Sequence, residues 1–173
     1  QDVTSVMLRD LKQLGCVAEG DGVTTDKVIL GTEVLPPATR DAAVRVTYLL
    51  RGAESGVMIS AREQKGGKEW EHYLAEDDGM LLSIAQAQAD MPRYKRLASQ
   101  PITASITAQA ERTLEFRLVG DQLTATLNGT VVATAKDAAY PQGMYAIVLK
   151  KGALVKKVET WTPGGVRSGG SGP

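Results

Sequence analysis

Apolar and polar residues alternate with a period of two along most of this chain. In one example, Val44, Val46 and Tyr48 fall on one side of an extended segment, while Arg45 and Thr47 fall on the other. This alternation is typical of a β-strand with one face buried and one face in contact with water. The same rhythm returns between residues 114 and 161, so most of the chain is predicted to be strand.

Turn residues separate these alternating segments at intervals of about eight to twelve residues. Asn128-Gly129 stands between two such segments and is the dipeptide that a type I′ turn favours, because both positions need positive φ. Pro36-Pro37 excludes its segment from the centre of a sheet, because proline cannot donate to the ladder of hydrogen bonds. No long helical pattern separates the strands. The sequence therefore predicts an all-β protein, an antiparallel sandwich or barrel.

The first segment departs from this pattern. Its apolar residues recur at near-helical spacing between Thr4 and Leu14. Thr4 or Ser5 can cap a helix there, and Gly15 can end it. We predict one short helix.

Length and composition fit a single globular domain. The chain has 173 residues, of which 43% are hydrophobic and 23% charged, so it can bury a core without a disulfide or a metal. We predict a helical segment over 1–15 that packs on a sandwich over 16–163. The Gly- and Ser-rich residues 164–173 are typical of a flexible linker or tail. Because the chain starts at Gln1 without a signal segment, we interpret it as part of a longer or processed protein.

Charge narrows the choice of partners. Twenty Lys and Arg balance twenty Asp and Glu, and nucleic-acid binding normally needs a basic stripe. The dense basic cluster, at Lys150, Lys151, Lys156 and Lys157, is interpreted as a solvated hairpin around Gly152. No apolar run approaches the ~18 residues that a transmembrane helix needs. We therefore predict neither nucleic acid as a partner nor membrane insertion.

Cys16 is the only cysteine, and His72 is the only histidine. The thiol lies in the apolar stretch from Leu14 to Ala18, which predicts a buried, unreactive side chain rather than a Cys–His nucleophile. A lone cysteine is compatible with the cytosol and equally with a bacterial exterior.

The run from Glu69 to Asp78 combines aromatic, imidazole and carboxylate groups. In a strand, Trp70 and His72 share one face, and Glu71 and Tyr73 share the other. Either face could be the core; if the Glu71 side is buried, Trp70 and His72 line a groove. Aromatic rings in such a groove could stack on sugar rings, with polar groups contacting their hydroxyls.

The carboxylates of this run are compatible with two kinds of chemistry, glycoside hydrolysis and cation binding. Glu69 and Glu71 lie about 6.5 Å apart as residues i and i+2, near the ~5 Å that retaining glycosidases use, so Glu71 is the weak catalytic candidate; plain surface glutamates are the simpler interpretation. Asp77-Asp78 is interpreted as a hairpin turn. We predict no cofactor and no metal site; Ca²⁺ is left open as an alternative, but adjacent aspartates alone do not indicate it.

Three segments resemble one family of folds. They are Ala53 to Arg62, Leu114 to Gly129, and Asp137 to Ala146, and they resemble strands and hairpins of concanavalin A-like jelly rolls, a group that includes laminin G-like and keto-disaccharide hydrolase-like domains. The resemblance implies a two-sheet β-sandwich, common in secreted and multidomain bacterial proteins. The E-x-D-x-x-E arrangement of laminarinase-type members is absent, which favours a protein that is not an enzyme.

These observations lead to one main hypothesis and two alternatives. The main hypothesis is a non-catalytic binding or accessory domain of a larger bacterial protein, extracytoplasmic or secreted, with carbohydrate or another domain of the parent protein as its partner. The alternatives are a glycoside hydrolase of the keto-disaccharide type and a purely protein-interaction domain. The predicted ligand-binding residues are Arg62, Trp70, Glu71, His72, Tyr73 and Tyr94.

Overall fold

The structure, a computed structural model, describes residues 3–64, 71–103 and 110–164. These residues form one helix, α1 (Leu8–Gln13), and fourteen strands. The strands are β1 (Thr4–Ser5), β2 (Val17–Glu19), β3 (Gly22–Thr24), β4 (Ile29–Thr39), β5 (Ala42–Leu49), β6 (Gly56–Glu63), β7 (His72–Asp77), β8 (Leu81–Ala87), β9 (Tyr94–Pro101), β10 (Glu111–Val119), β11 (Gln122–Leu127), β12 (Thr130–Lys136), β13 (Gly143–Lys150) and β14 (Leu154–Trp161).

The strands form two antiparallel sheets. The eight-stranded sheet has the order β12-β11-β10-β5-β14-β3-β2, with β1 paired to β14, and the six-stranded sheet has the order β4-β13-β6-β7-β8-β9. The inward-facing residues of both sheets meet in one apolar core. The prediction of an all-β antiparallel sandwich is confirmed.

The period-two pattern sets which side chains enter the core. Leu114 lies opposite Val46 and Phe116 opposite Val44 across the β10–β5 pair, and all four are buried in the core. Glu115, between the two β10 residues, points to the outer face and contacts Arg45 there at 3.7 Å.

The turn and edge predictions are confirmed as well. Asn128 and Gly129 connect β11 and β12 with φ values of 50° and 82°, as the type I′ turn requires. Pro36 and Pro37 lie in β4, the first strand of the six-stranded sheet, which pairs with β13 alone. An edge position accepts proline because one side of the strand has no ladder to complete.

The N-terminal helix is present but shorter than predicted. Thr4 and Ser5 do not cap it; they pair with Thr160 and Glu159 of β14. The helix begins after Met7, whose side chain makes no capping hydrogen bond. It packs on the sandwich through Leu11, which is buried in the core. Among the described residues, no helix is long and apolar enough to cross a membrane.

A buried ion pair connects the two sheets. Asp77 of β7 is fully buried, and its carboxylate accepts a hydrogen bond from Tyr48 of β5 at 2.5 Å. Arg112 of β10 contacts both oxygens of the same carboxylate, at 3.0 and 2.9 Å. Burial and the neighbouring Asp77 charge raise the pKa of Tyr48 well above its usual value, so this hydroxyl stays a donor. Glu76 and Asp77 thus end strand β7, and Asp78 and Gly79 begin the turn that follows. The carboxylate of Asp77 has a structural role.

Candidate functional site

The outer face of the six-stranded sheet brings several sequence-predicted residues together. In β7, Tyr73 and Ala75 belong to the core, whereas Leu74 does not. Alternation therefore places His72, Leu74 and Glu76 on the outer face. This agrees with one of the two assignments left open by the sequence, the one in which the His72 side lines the surface. We call the outward side chains of β6 to β9 the His72 face.

Strand register arranges the His72 face in rows. One row runs from His72 through Ala87 to Tyr94, across β7, β8 and β9. At a strand spacing of about 4.8 Å, His72 and Tyr94 lie roughly 10 Å apart. A second row contains Ser60, Leu74, Ala85 and Arg96, in that order.

Small side chains lie between the larger ones. The outward positions of β8 are Ser83, Ala85 and Ala87, by their pairing with Glu76, Leu74 and His72. The strip along β8 therefore carries only hydroxyl and methyl groups, while imidazole and phenol groups rise on the two sides. Ser83, Ala85 and Ala87 are themselves buried, at 8%, 7% and 1% exposed.

Hydrogen bonds fix the orientation of His72. Its Nδ1 lies 3.0 Å from the carbonyl oxygen of Tyr73 and 2.9 Å from Ser60 Oγ. Ser60 donates its single proton to Glu63 at 2.6 Å. Because a carbonyl oxygen can only accept, Nδ1 carries the proton. In the tautomer that carries its proton on Nδ1, Nε2 is the acceptor nitrogen, and it bonds to none of the described residues.

Tyr73 faces away from this site, contrary to its prediction as a ligand-binding residue. It is fully buried and donates to Asp137 at 2.5 Å. Its ring packs against Tyr140, with the centroids 5.1 Å apart. Burial and the hydrogen bond to Asp137 raise the pKa of Tyr73. The residue joins β7 to the loop that precedes β13.

Arg62 is also internal. Its φ of 54° breaks the regular strand, so the side chain does not share the outer face with Ser60, although Arg62 is among the predicted ligand-binding residues. The guanidinium is 1% exposed and donates to the carbonyl oxygens of Arg40, Gly120 and Tyr140, at 3.1, 2.7 and 3.1 Å. Its acidic partner is Asp41, at 3.3 Å.

The remaining predicted residues differ in position. Tyr94 is 52% exposed on the edge strand β9. Glu71 precedes β7 and is half-buried, and its charge helps to raise the pKa of Tyr140. Trp70 and Glu69 lie outside the described residues. The pairing of Glu69 with Glu71 therefore stays a prediction.

The outer face of the other sheet is occupied by its own charges. Arg45 contacts Glu159 at 3.0 Å and stacks at 4.9 Å over the ring of Trp161. Trp161, the last residue of β14, lies beneath this arginine. The hydrogen bond from Arg45 lowers the pKa of Glu159. These mutual contacts make this face a poor candidate for a ligand site.

The described residues offer no cluster of three or more His, Cys, Asp or Glu side chains that could hold a metal ion. The side-chain oxygen Oδ1 of Asp78 accepts hydrogen bonds from the backbone amides of Met80 and Leu81 in the turn, at 2.9 and 2.8 Å. Cys16 is buried, and burial raises the pKa of its thiol.

Three residues of the His72 face were not identified from the sequence. Ser60 contacts the imidazole of His72 and donates to Glu63. The contact between Ser60 and His72 depends on the pairing of β6 with β7, which the sequence does not specify. Arg96 follows Tyr94 by two residues, and that spacing on a strand was the available signal.

Neither protein-family models nor curated proteins gave a match to this chain. Comparison with solved structures gave many. The carbohydrate-binding module CBM66 of Bacillus subtilis superposes with a TM-score of 0.62 at 14% identity, covering 90% of this chain and 91% of the module. The legume lectin-like domain of Entamoeba histolytica gives 0.58 at 13% identity, with 93% and 89% covered. The galectin LEC-6 of Caenorhabditis elegans gives 0.54 at 15% identity, with 84% and 99% covered.

The chain has the concanavalin A-like lectin/glucanase jelly-roll fold. The resemblance stated from the three sequence segments is thus confirmed for the fold. At these identities the likeness carries no information on individual site residues. Within this jelly roll, the His72 face is where the described residues combine an exposed aromatic ring and an exposed guanidinium with a half-buried imidazole.

Proposed function

We propose that this jelly roll is a non-catalytic carbohydrate-binding or accessory domain of a larger bacterial protein, extracytoplasmic or secreted. The observation that carries the proposal is the row formed by His72, Ala87 and Tyr94. A phenol ring and an oriented imidazole lie on either side of a small side chain, and that combination suits a sugar ring.

Each group has a distinct part in the proposed site. The ring of Tyr94 provides an aromatic face for the C–H groups of a sugar. Nε2 of His72 accepts a hydrogen bond from a sugar hydroxyl. The fold likeness gives support of a different kind, because several of the similar structures are named as carbohydrate-binding modules or lectins.

The proposal is tested by a glycan array, followed by calorimetry with the glycan that binds best. Tyr94→Ala should weaken binding about 10-fold, through lost stacking. His72→Ala should weaken it about 3- to 10-fold, the worth of one hydrogen bond. Val131→Ala, an exposed position on β12 of the other sheet, is the matched control and should leave the affinity unchanged. The absence of binding to any glycan would reject the proposal.

The hydrolase alternative makes a separate prediction. If the domain hydrolyses glycosides, wild-type protein turns over members of a glycoside panel and Glu71→Gln abolishes that turnover. Binding without turnover supports the non-catalytic function.

One observation favours the protein-interaction alternative. Large apolar side chains are exposed in the N-terminal part of the chain: Met7, Leu14, Val17, Val28 and Ile29. Exposed apolar groups can mark a contact with another protein or domain. An array without bound glycans, together with a partner whose binding is lost on Val28→Asp, would establish this function instead.

A further inference from the structure

A β-bulge sets the direction of the side chains in β9. Ala98 pairs with Ile84, but the next residue of β8, Ala85, pairs with Arg96. Leu97 is therefore the extra residue, and both Leu97 and Ala98 pack against the core. In a regular strand, Arg96 would point inward with Ala98. The bulge turns Arg96 and Tyr94 to the outer face, as bulges beside binding sites often do.

Arg96 has no partner among the described residues. It is exposed, and the ion pairs of the described part of the chain do not include it, although many other surface cations are paired. On the same face, Lys150 contacts Glu76 at 2.5 Å. An arginine that a bulge turns outward and that no carboxylate neutralises can receive a ligand.

The surroundings of Arg96 carry little opposing charge. Strand β8 has no charged residue, and β9 has Lys95 and Arg96 without any acidic residue. Of the acidic groups further along the face, Glu76 is paired with Lys150, and Glu63, which accepts from the uncharged hydroxyl of Ser60, belongs to β6, three strands away from β9. The β8–β9 end of the face is thus locally positive in a chain whose net charge is zero.

We propose that the β8–β9 end of the His72 face selects an acidic sugar, with Arg96 binding the carboxylate of a uronic acid whose ring lies against Tyr94. Residues two apart on a strand are separated by about 6.5 Å on the same face, and the long, flexible side chain of Arg96 can reach a carboxylate that is bonded directly to a ring lying against Tyr94. The guanidinium presents paired N–H donors that match a carboxylate. This inference rests on the proposed carbohydrate-binding function and specifies its ligand class.

The test compares charged and neutral forms of the same sugars by calorimetry. The probes are short oligomers of galacturonate, mannuronate and glucuronate and their methyl esters, which keep the ring and remove the charge. At least one acid should bind about 10- to 100-fold more tightly than its ester, the range of a charge-assisted hydrogen bond. Added salt should weaken binding of the acid and leave binding of the ester unchanged.

Variants assign the preference to Arg96. Arg96→Gln should abolish the difference between acid and ester, and Arg96→Lys should keep part of it. Tyr94→Ala should weaken both forms by a similar factor. Lys151→Gln, at an exposed cation in the turn between β13 and β14, is the control and should change neither. Circular dichroism of each variant checks that the fold is intact.

The outcomes separate this inference from the proposed function. Equal binding of acid and ester, or an unchanged preference in Arg96→Gln, overturns the acidic-sugar inference while carbohydrate binding stands. If a sulfated oligosaccharide of otherwise neutral sugars binds and none of the uronates does, the assignment of a carboxylate ligand is overturned. A short oligothymidylate that binds as tightly as the best uronate, with the same dependence on Arg96, shows that the face recognises phosphodiesters instead. If no saccharide binds in any form, both proposals fail.

Discussion

The buried ion pair between the sheets gives the sharpest prediction about stability. Arg112→Leu leaves the Asp77 carboxylate without its cationic partner at a position with 0% exposure. Tyr48 and the amide of Gly79, at 2.5 and 2.8 Å, still donate to it, but neither neutralises the charge. Removing one member of a buried pair costs about 3–5 kcal/mol, a large part of the 5–15 kcal/mol that stabilises a typical domain.

Urea unfolding followed by circular dichroism measures this loss. With a denaturant slope of about 2 kcal/mol per molar urea, the midpoint should fall by roughly 1.5–2.5 M. Arg117→Leu is the matched control, because Arg117 lies on the same strand but pairs on the outer face with Glu115, at 3.2 Å and 43% side-chain exposure. Its loss should stay within about 1 kcal/mol.

A double variant tests the mechanism. Asp77→Leu combined with Arg112→Leu removes both charges, so it should cost less than the sum of the two single variants. An Arg112→Leu protein as stable as Arg117→Leu would refute the claim that this pair connects the sheets.

Three further predictions follow from groups elsewhere in the fold. Arg45 lowers the pKa of Glu159, so this carboxylate stabilises the fold at neutral pH and loses that effect as the pH falls below about 4.5; melting curves of Glu159→Gln and wild type should differ at pH 7 and converge at pH 3. In Gly143→Ala, the new Cβ would lie 2.4 Å from the carbonyl carbon of Arg62, so we expect a loss of about 1–3 kcal/mol in thermal unfolding. A stability equal to wild type would show that the backbone there can move freely. Because Cys16 is buried and its pKa is raised, Ellman's reagent should react with it only after the protein unfolds; rapid reaction in native buffer would contradict the burial.

The fold was predictable because its signals are local. Alternation at Leu114 and Phe116, the Asn128-Gly129 turn and the edge position of Pro36 each depend on a few neighbouring residues, and each is found in the structure. Such signals report which face of a strand is buried, and the burial of two faces against each other defines a sandwich.

The site was less predictable because its geometry depends on departures from regular strands. The positive φ of Arg62 directs the side chain of a predicted ligand-binding residue into the interior. The bulge at Leu97 has the opposite effect on Arg96. Neither irregularity can be predicted from the pattern of apolar and polar residues.

Long-range contacts were equally hidden. Asp77 and Arg112 are 35 positions apart in the chain, and Tyr73 and Asp137 are 64 apart. From the sequence, Asp77 belongs to an acidic turn and Tyr73 to an aromatic run with binding potential. The structure shows that each joins separate parts of the sandwich.

The account depends most on the claim that ligand binds across β7, β8 and β9. A ¹H–¹⁵N NMR titration with the best-bound saccharide tests it directly. We predict that the largest shifts occur at the amides of His72, Ala85, Ala87, Tyr94 and Arg96, with the amides around Arg45 and Glu159 unchanged. Shifts concentrated around Arg45, or at the exposed apolar residues near Val28, would contradict it.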